Sequence, residues 1–171
     1  MWNSPNVIGA IDMKYVICKA PPRSGSSYFN YKSLSSIVLW AVSDAKYTFL
    51  YINVGAKGSA SDGGIFNACA LSTALMRNTL NIPDDRPLPG RTMPIPFELL
   101  ADDAFPASVR ILKPISRQNL SRMEMTYNSL ISRGRGVIDN AFGIASARRR
   151  IVRKTSDMSY TIIALANHFI Y

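Results

Sequence analysis

Four aspartates stand at positions where the surrounding residues do not favour an acid, in a chain that has only 11 acidic residues. Asp12 lies inside the apolar segment Gly-Ala-Ile-Asp-Met-Lys-Tyr-Val, although aspartate has a low strand propensity and a buried carboxylate needs a partner. Asp102 follows the apolar segment Phe-Glu-Leu-Leu-Ala, at the end of a predicted strand, where α/β sheets usually place ligands. Asp62 lies between a glycine-rich turn and a predicted helix, and Asp139 borders the apolar face of a long predicted helix.

Carboxylates that meet in one cleft favour chemistry with divalent cations. Clustered negative charges repel one another unless cations lie between them, and oxygen ligands suit Mg²⁺ or Mn²⁺. Two such ions can activate a water or a 3′-hydroxyl and stabilise the leaving oxygen of a phosphodiester. If the first strand is central in its sheet, Asp12 and Asp102 can point into one cleft from neighbouring strands. Asp62 and Asp139 can then close over that cleft.

Each of these aspartates also has an ordinary structural interpretation. Asp12 could be a charge on an edge strand, and Asp62 could cap the start of a helix or form a turn. Asp102 could be a turn residue, and Asp139 could form a salt bridge with Arg135, four residues earlier on the same helix. Composition and spacing alone do not decide between these structural interpretations and a metal site.

The N-terminal third of the chain is predicted to be mostly β-structure. Its apolar and β-branched segments predict three strands, at Val7 to Cys18, Ile37 to Val42 and Phe49 to Val54. A short polar connector between the second and third strands predicts an antiparallel hairpin. Residues 20–27 are predicted to form a loop, and residues 55–64 a tight, exposed, glycine-rich turn.

The remaining chain is predicted to be mostly helical. We expect a helix over residues 65–80, irregular structure over residues 82–96, which hold five of the ten prolines, and a fourth strand over residues 97–101. A final helix over residues 159–169 is expected to cover the core.

A long helix is predicted to begin after Ser121, which forms a capping-box pattern with Glu124. Gly134 and Gly136 are expected to bend or split it. The predicted fold class is therefore α/β, with a mixed central sheet of three meandering strands plus a further strand, flanked by helices.

The composition of the chain indicates which kinds of partner it can bind and which kinds of catalytic site it can form. A length of 171 residues fits one domain with a sizeable core, and a net charge of +9 favours nucleic acid first and an acidic membrane surface second. Two cysteines and one histidine argue against a disulfide framework, a zinc site and a serine–histidine triad. We expect no membrane-spanning segment, because no apolar run approaches the roughly 18 residues that a span requires.

The chain resembles the Harbinger (PIF/Harbinger) transposases and the nucleases derived from them, which carry a DDE endonuclease domain. Residues 9–16 resemble the family's Gly-x-Ile-Asp-Gly-Lys-His-Val. Six further blocks follow in the family's order, at residues 21–32, 36–45, 58–66, 86–90, 101–106 and 135–143. Any one block is modestly specific, whereas seven blocks in order are highly specific.

The resemblance implies an RNase H-like fold and metal-dependent hydrolysis or strand transfer on DNA, with Mg²⁺ or Mn²⁺ as the cofactor. It implies metal ligands at Asp12, Asp62, Asp102 and Asp139, of which the first two and the last are the catalytic acids. It makes residues 1–171 a single catalytic domain without the family's N-terminal DNA-binding region, so a separate DNA-binding protein becomes a candidate partner. It implies a nuclear location, with the cytoplasm as an additional location.

Two departures from the family pattern raise a second hypothesis. Asp139 stands where the family usually has glutamate, and its carboxylate is one methylene shorter. Met13 stands where the family usually has glycine, and we expect it to add bulk beside the metal site. The alternative function is therefore a catalytically inactive, domesticated transposase remnant that binds DNA or protein.

Basic residues are candidate contacts for DNA phosphates. We predict this role for Lys14 near the first aspartate and for Arg133, Arg135, Arg148 and Arg149 in the C-terminal third. Such contacts would position the DNA backbone without reading its sequence. The alternative interpretation is a solvated face of a basic helix.

Overall fold

A mixed sheet forms the centre of the molecule in the computed structural model, which describes residues 4–152 and 155–169, without the side chains of Asp62, Ile151, His168 and Phe169. The strands are β1 (Val7–Lys19), β2 (Ser36–Ser43), β3 (Phe49–Lys57), β4 (Arg86–Pro87), β5 (Pro94–Ile95), β6 (Glu98–Leu100), β7 (Ile111–Leu112) and β8 (Ser156–Asp157). The helices are α1 (Asp62–Ala68), α2 (Ala70–Met76), α3 (Arg122–Arg148) and α4 (Met158–Phe169), with a short 3₁₀ turn at Arg150–Val152.

The strand order places β1 in the middle of the sheet. The order is β3-β2-β1-β6-β7, β8 pairs with the end of β1, and β4 and β5 form a separate two-stranded pair. The first three strands are antiparallel, whereas β6 runs parallel to β1 and β7 runs parallel to β6. Three meandering strands followed by parallel strands, with helices against the sheet, make the fold RNase H-like, as predicted.

Alternate side chains of β1 enter two separate cores, because successive residues of a strand point to opposite faces. Ala10 and Val16 pack with residues of α3 and α4 in one core. Ile11 packs with Trp40 and Phe66 in the other, which α1 and α2 cover. The even-numbered residues of β1 therefore face the long helix α3.

Most predicted elements are confirmed, and the differences have local causes. β3 continues to Lys57, so the glycine-rich turn starts later than predicted, and Gly58 is buried where a Cβ would lie 2.5 Å from the carbonyl oxygen of Tyr28. The predicted helix over 65–80 is two short helices, because the backbone at Cys69 is extended and its Sγ accepts the Ser72 N–H over 3.3 Å. The predicted irregular segment 82–96 contains the small β4–β5 pair.

Of the two expected effects of Gly134 and Gly136 on the long helix, a bend or a split, the split is wrong. α3 runs without interruption over 27 residues, and Ser121 and Glu124 form the predicted capping box. Gly134 instead allows a close approach, because a Cβ at this position would lie 2.3 Å from the Leu100 Cδ1 on β6. A Cβ on Gly136 would meet no heavy atom within 4 Å.

These two glycines give a matched pair of stability variants. Gly136→Ala should raise the free energy of unfolding by about 0.5–1 kcal/mol, because alanine favours the helix and meets no neighbour. Gly134→Ala should lower it by roughly 1 kcal/mol, because overpacking against the buried Leu100 outweighs the gain in helix propensity. Urea unfolding measures both. Equal effects of the two substitutions would show that α3 does not depend on this close approach.

Candidate metal centre

Strand register places Asp12 and Asp102 side by side. Ala10 on β1 pairs with Leu100 on the parallel strand β6, and each aspartate follows its paired residue by two positions. Both aspartates therefore continue the face on which Ala10 and Leu100 enter the same core as Ile138 of α3. Their side chains are 17% and 23% exposed, so both carboxylates are largely removed from water.

The guanidinium of Arg135 lies between these two carboxylates. Its Nη2 is 3.5 Å from Asp12 Oδ2 and 3.7 Å from Asp102 Oδ2. The second oxygen of each carboxylate is bound to backbone: the Met13 N–H donates to Asp12 Oδ1 over 2.8 Å, and the Ala104 N–H donates to Asp102 Oδ1 over 3.1 Å. The oxygens that remain available both face the same positive charge.

The protonation of Asp12 reflects its surroundings. Burial raises the pKa of Asp12 from its ordinary value of 3.8 to about 6, and the charges of Asp139 and Asp102 also raise it. The Met13 N–H and the Arg135 guanidinium oppose this rise without cancelling it. The carboxylate is therefore costly to ionise in the folded protein, chiefly because burial disfavours the charged form.

Asp139 lies on α3, one helical turn after Arg135, and its side chain is exposed. Its charge acts on Asp12, so it belongs to the same electrostatic neighbourhood. The alternative interpretation of Asp139 as the salt-bridge partner of Arg135 is not what the described contacts show, because Arg135 pairs with Asp12 and Asp102.

The side chain of Asp62 lies outside the described residues, but its backbone position is defined. Asp62 is the first residue of α1, and Ser61 is the N-cap, with its Oγ accepting the Gly64 N–H over 3.2 Å. A Cβ on the next residue, Gly63, would lie 3.2 Å from the carbonyl oxygen of Ala104. The start of α1 therefore touches the turn that follows Asp102.

Met13 does not add bulk beside the acids, so that expectation is wrong. Its side chain packs against the core that contains Ile11 and Trp40, on the face of the sheet opposite to Asp12. The methionine that stands in place of the glycine of the resembled motif therefore packs in the core of Ile11 and Trp40, away from the acids.

The described acids fit a divalent cation in their chemistry. Among residues with described side chains, no group of three or more acidic, cysteine or histidine side chains is close enough to hold a metal ion, and this set excludes Asp62. Asp12 and Asp102 nevertheless each direct an oxygen at a common positive charge. Oxygen donors of this kind are those that Mg²⁺ and Mn²⁺ prefer.

The predicted DNA-contacting residues occupy different environments. Arg133, Arg148 and Arg149 are exposed on α3 or at its end. Lys14 is partly buried, with its Nζ 6.0 Å from the centre of the Phe142 ring. Arg135 is engaged with the two acids, which sequence reasoning did not anticipate.

The molecule thus combines an RNase H-like sheet with two neighbouring carboxylates, one on β1 and one just after β6. The family described as DDE superfamily endonuclease matches residues 11–170, and the chain belongs to this family of transposase-like nucleases. No curated protein and no solved structure matches the chain. Within the described residues, no helix is both long and apolar enough to cross a membrane.

Proposed function

We propose that the chain is a metal-dependent DNA endonuclease of the Harbinger branch, which hydrolyses phosphodiester bonds or transfers strands. The observation that carries the proposal is the juxtaposition of Asp12 on β1 and Asp102 just after the parallel strand β6, with their available oxygens directed at one positive charge. Family membership supports the same class of reaction.

Asp12, Asp62, Asp102 and Asp139 are the proposed ligands of Mg²⁺ or Mn²⁺, and Asp12, Asp62 and Asp139 are the proposed catalytic acids. Divalent ions held by these oxygens supply activation of the attacking hydroxyl and stabilisation of the leaving oxygen. The backbone N–H groups of Met13 and Ala104 orient the first two carboxylates by holding one oxygen of each. At pH 7 Asp12 is mainly ionised, because its pKa of about 6 lies below that pH.

DNA is the proposed substrate and partner. The net charge of +9 and the exposed Arg133, Arg148 and Arg149 support attraction to a polyanion. Arg135, which lies against Asp12 and Asp102, and Lys14, two residues after Asp12 on β1, are proposed to contact phosphate near the site of cleavage. Contacts of this kind do not read base sequence, so we further propose a separate DNA-binding protein as partner, and a nuclear location.

A plasmid-nicking assay in Mg²⁺ or Mn²⁺ tests the proposal. Wild type should convert supercoiled plasmid to the nicked form, whereas Asp102→Asn should lose this activity. Asp103→Asn is the matched control, because Asp103 is exposed, is adjacent in sequence, and takes part in the described contacts through its carbonyl oxygen. Equal nicking by the Asp102 variant and wild type would contradict the proposed site.

Asp139→Glu should increase nicking. The extra methylene restores the length of the family's usual acid at this exposed position of α3. The charge at this position already acts on Asp12, whose pKa it raises. Because misplacing a reacting group by about 1 Å can cost roughly 100-fold in rate, we expect a gain of roughly tenfold. Asp139→Asn is the control and should reduce nicking. An unchanged or reduced rate in the glutamate variant would contradict the idea that the shorter acid limits activity.

The alternative, an inactive DNA- or protein-binding module, is favoured by one observation. The described side chains bring together two carboxylates around an arginine, while Asp139 is exposed. Fluorescence anisotropy with labelled duplex DNA, in the presence of a chelator, separates the two functions. Tight DNA binding by a wild-type protein that never nicks in Mn²⁺ would support the alternative.

A further inference from the structure

We infer that Arg135 is the resident cation of the metal-free acidic site, and that it must leave Asp12 and Asp102 before a divalent ion can bind there. The inference rests on the proposed function, because it assumes that these acids hold metal. It makes Arg135 a positioning residue that sets the affinity of the site for metal.

The hydrogen bonds of the two carboxylates carry the argument. One oxygen of Asp12 and one oxygen of Asp102 accept backbone N–H groups, at 2.8 Å and 3.1 Å. The other oxygen of each lies 3.5 Å and 3.7 Å from the same Arg135 nitrogen. A metal ion bound by the two available oxygens would therefore stand next to the guanidinium. The two described carboxylates offer only one available oxygen each to offset both cations, so the repulsion in this partly buried site favours displacement of the guanidinium.

The arginine is held by charge rather than by a tight fork of hydrogen bonds. Both distances are longer than the roughly 2.7–2.9 Å of a charge-assisted hydrogen bond. Its Nε is buried and has no hydrogen-bond partner among the described residues, so the guanidinium is not locked in place from that side. A long, flexible side chain of this kind can be displaced without unfolding the helix that carries it.

The fold explains why the arginine is there. Gly134 lets α3 approach Leu100 closely, which brings the next residue, Arg135, against Asp12 within β1 and against Asp102, two residues after the end of β6. Without that charge, two largely buried carboxylates would face each other with no compensation in the metal-free protein. Arg135 thus offsets the charge of the two carboxylates and competes with a divalent ion for them.

Titration with Mn²⁺ tests the inference, with free Mn²⁺ followed by electron paramagnetic resonance at about pH 8, where protons compete little. Arg135→Gln should bind Mn²⁺ at least about tenfold more tightly than wild type, because a competing charge is removed. Arg135→Lys keeps the charge and should bind with an affinity close to that of wild type. Arg122→Gln is the control for net charge, because Arg122 is exposed at the start of the same helix. It should bind Mn²⁺ as wild type does.

Thermal unfolding gives a second measurement for a variant that folds poorly. Without metal, Arg135→Gln should melt below wild type, and Mn²⁺ should raise its melting temperature more than that of wild type. Two results would overturn the inference about Arg135 and leave the proposed function standing. In the first, Mn²⁺ binds wild type but binds Arg135→Gln equally or more weakly; in the second, Mn²⁺ binds wild type but fails to stabilise that variant. If Mn²⁺ binds neither protein, the proposed function is overturned together with it.

Discussion

Asp12→Asn should reduce Mg²⁺- or Mn²⁺-dependent nicking of plasmid DNA at least about 100-fold. Asparagine keeps the shape of the side chain and the acceptor for the Met13 N–H, but it removes the charge that a divalent ion requires. Loss of groups that only orient metal ligands already costs about 10- to 100-fold, and Asp12 is proposed to be a ligand itself. Initial rates at saturating metal, with Asp103→Asn as the control, measure the effect.

A nicking rate within a few-fold of wild type would remove Asp12 from the mechanism. Measuring the rate over a range of metal concentrations separates weaker metal binding from a slower reaction. A variant that regains full activity at high Mn²⁺ would identify Asp12 as a residue that governs affinity alone.

The same Asp12→Asn substitution should stabilise the folded protein at neutral pH, by about 2–3 kcal/mol in the free energy of unfolding. The folded-state pKa of Asp12 is about 6, above its ordinary value of 3.8. The protonated carboxyl therefore favours folding, and this contribution is fully present below about pH 4 and is lost as the pH rises through about 6. Above that pH, the folded protein carries the full cost of the ionised group, which asparagine avoids.

Urea unfolding of both proteins from about pH 4 to about pH 8 measures this difference. The variant and wild type should have similar stabilities at the acidic end, and the variant should become more stable as the pH rises. A wild type that is the more stable protein at pH 8, or a difference that does not change with pH, would show that the Arg135 ion pair outweighs the burial of Asp12.

We expect Asp12→Asn to be inactive but more stable than wild type, because active sites often keep a charge that destabilises the fold but is needed for the reaction. Asp12 is largely buried beside two other acids, which helps catalysis only if a cation joins them. An inactive binding module would gain nothing from keeping this carboxylate. The paired activity and stability measurements therefore also bear on the alternative function.

Local sequence patterns were sufficient to predict the strand that carries Asp12, the strand beside it and the long helix that carries Arg135. The apolar and β-branched segments of β1 and β2 and the capping box of Ser121 and Glu124 are short-range signals, and the structure confirms the elements they predict. The proximity of the two acids followed from placing β1 at the centre of the sheet, which the strand order confirms.

The features that sequence reasoning missed depend on contacts between distant segments. The close approach at Gly134 is defined by Leu100 on another element, so the glycine's own sequence neighbourhood suggests only a weakened helix. Cys69 interrupts a helical pattern through its extended backbone, which residue periodicity does not reveal.

Arg135 is the clearest example of a role that tertiary structure assigns. Its position on the same helical stripe as Asp139 and Phe142 was a signal that it faces the sheet, where Phe142 is buried. Nothing in the sequence fixes the two aspartates at 3.5 Å and 3.7 Å from its guanidinium, because that requires β1, β6 and α3 to meet.

Iron-directed cleavage of the polypeptide is the most direct test of whether the four acids gather around one metal site. Fe²⁺ takes the place of Mg²⁺ or Mn²⁺ at carboxylate sites, and with ascorbate and oxygen it generates radicals that cut the nearby backbone. Mass spectrometry of the fragments should show cuts near Asp12, Asp62, Asp102 and Asp139, suppressed by excess Mn²⁺ and absent in Asp12→Asn. Cuts that avoid these segments, or that persist unchanged in the variant, would contradict the shared site.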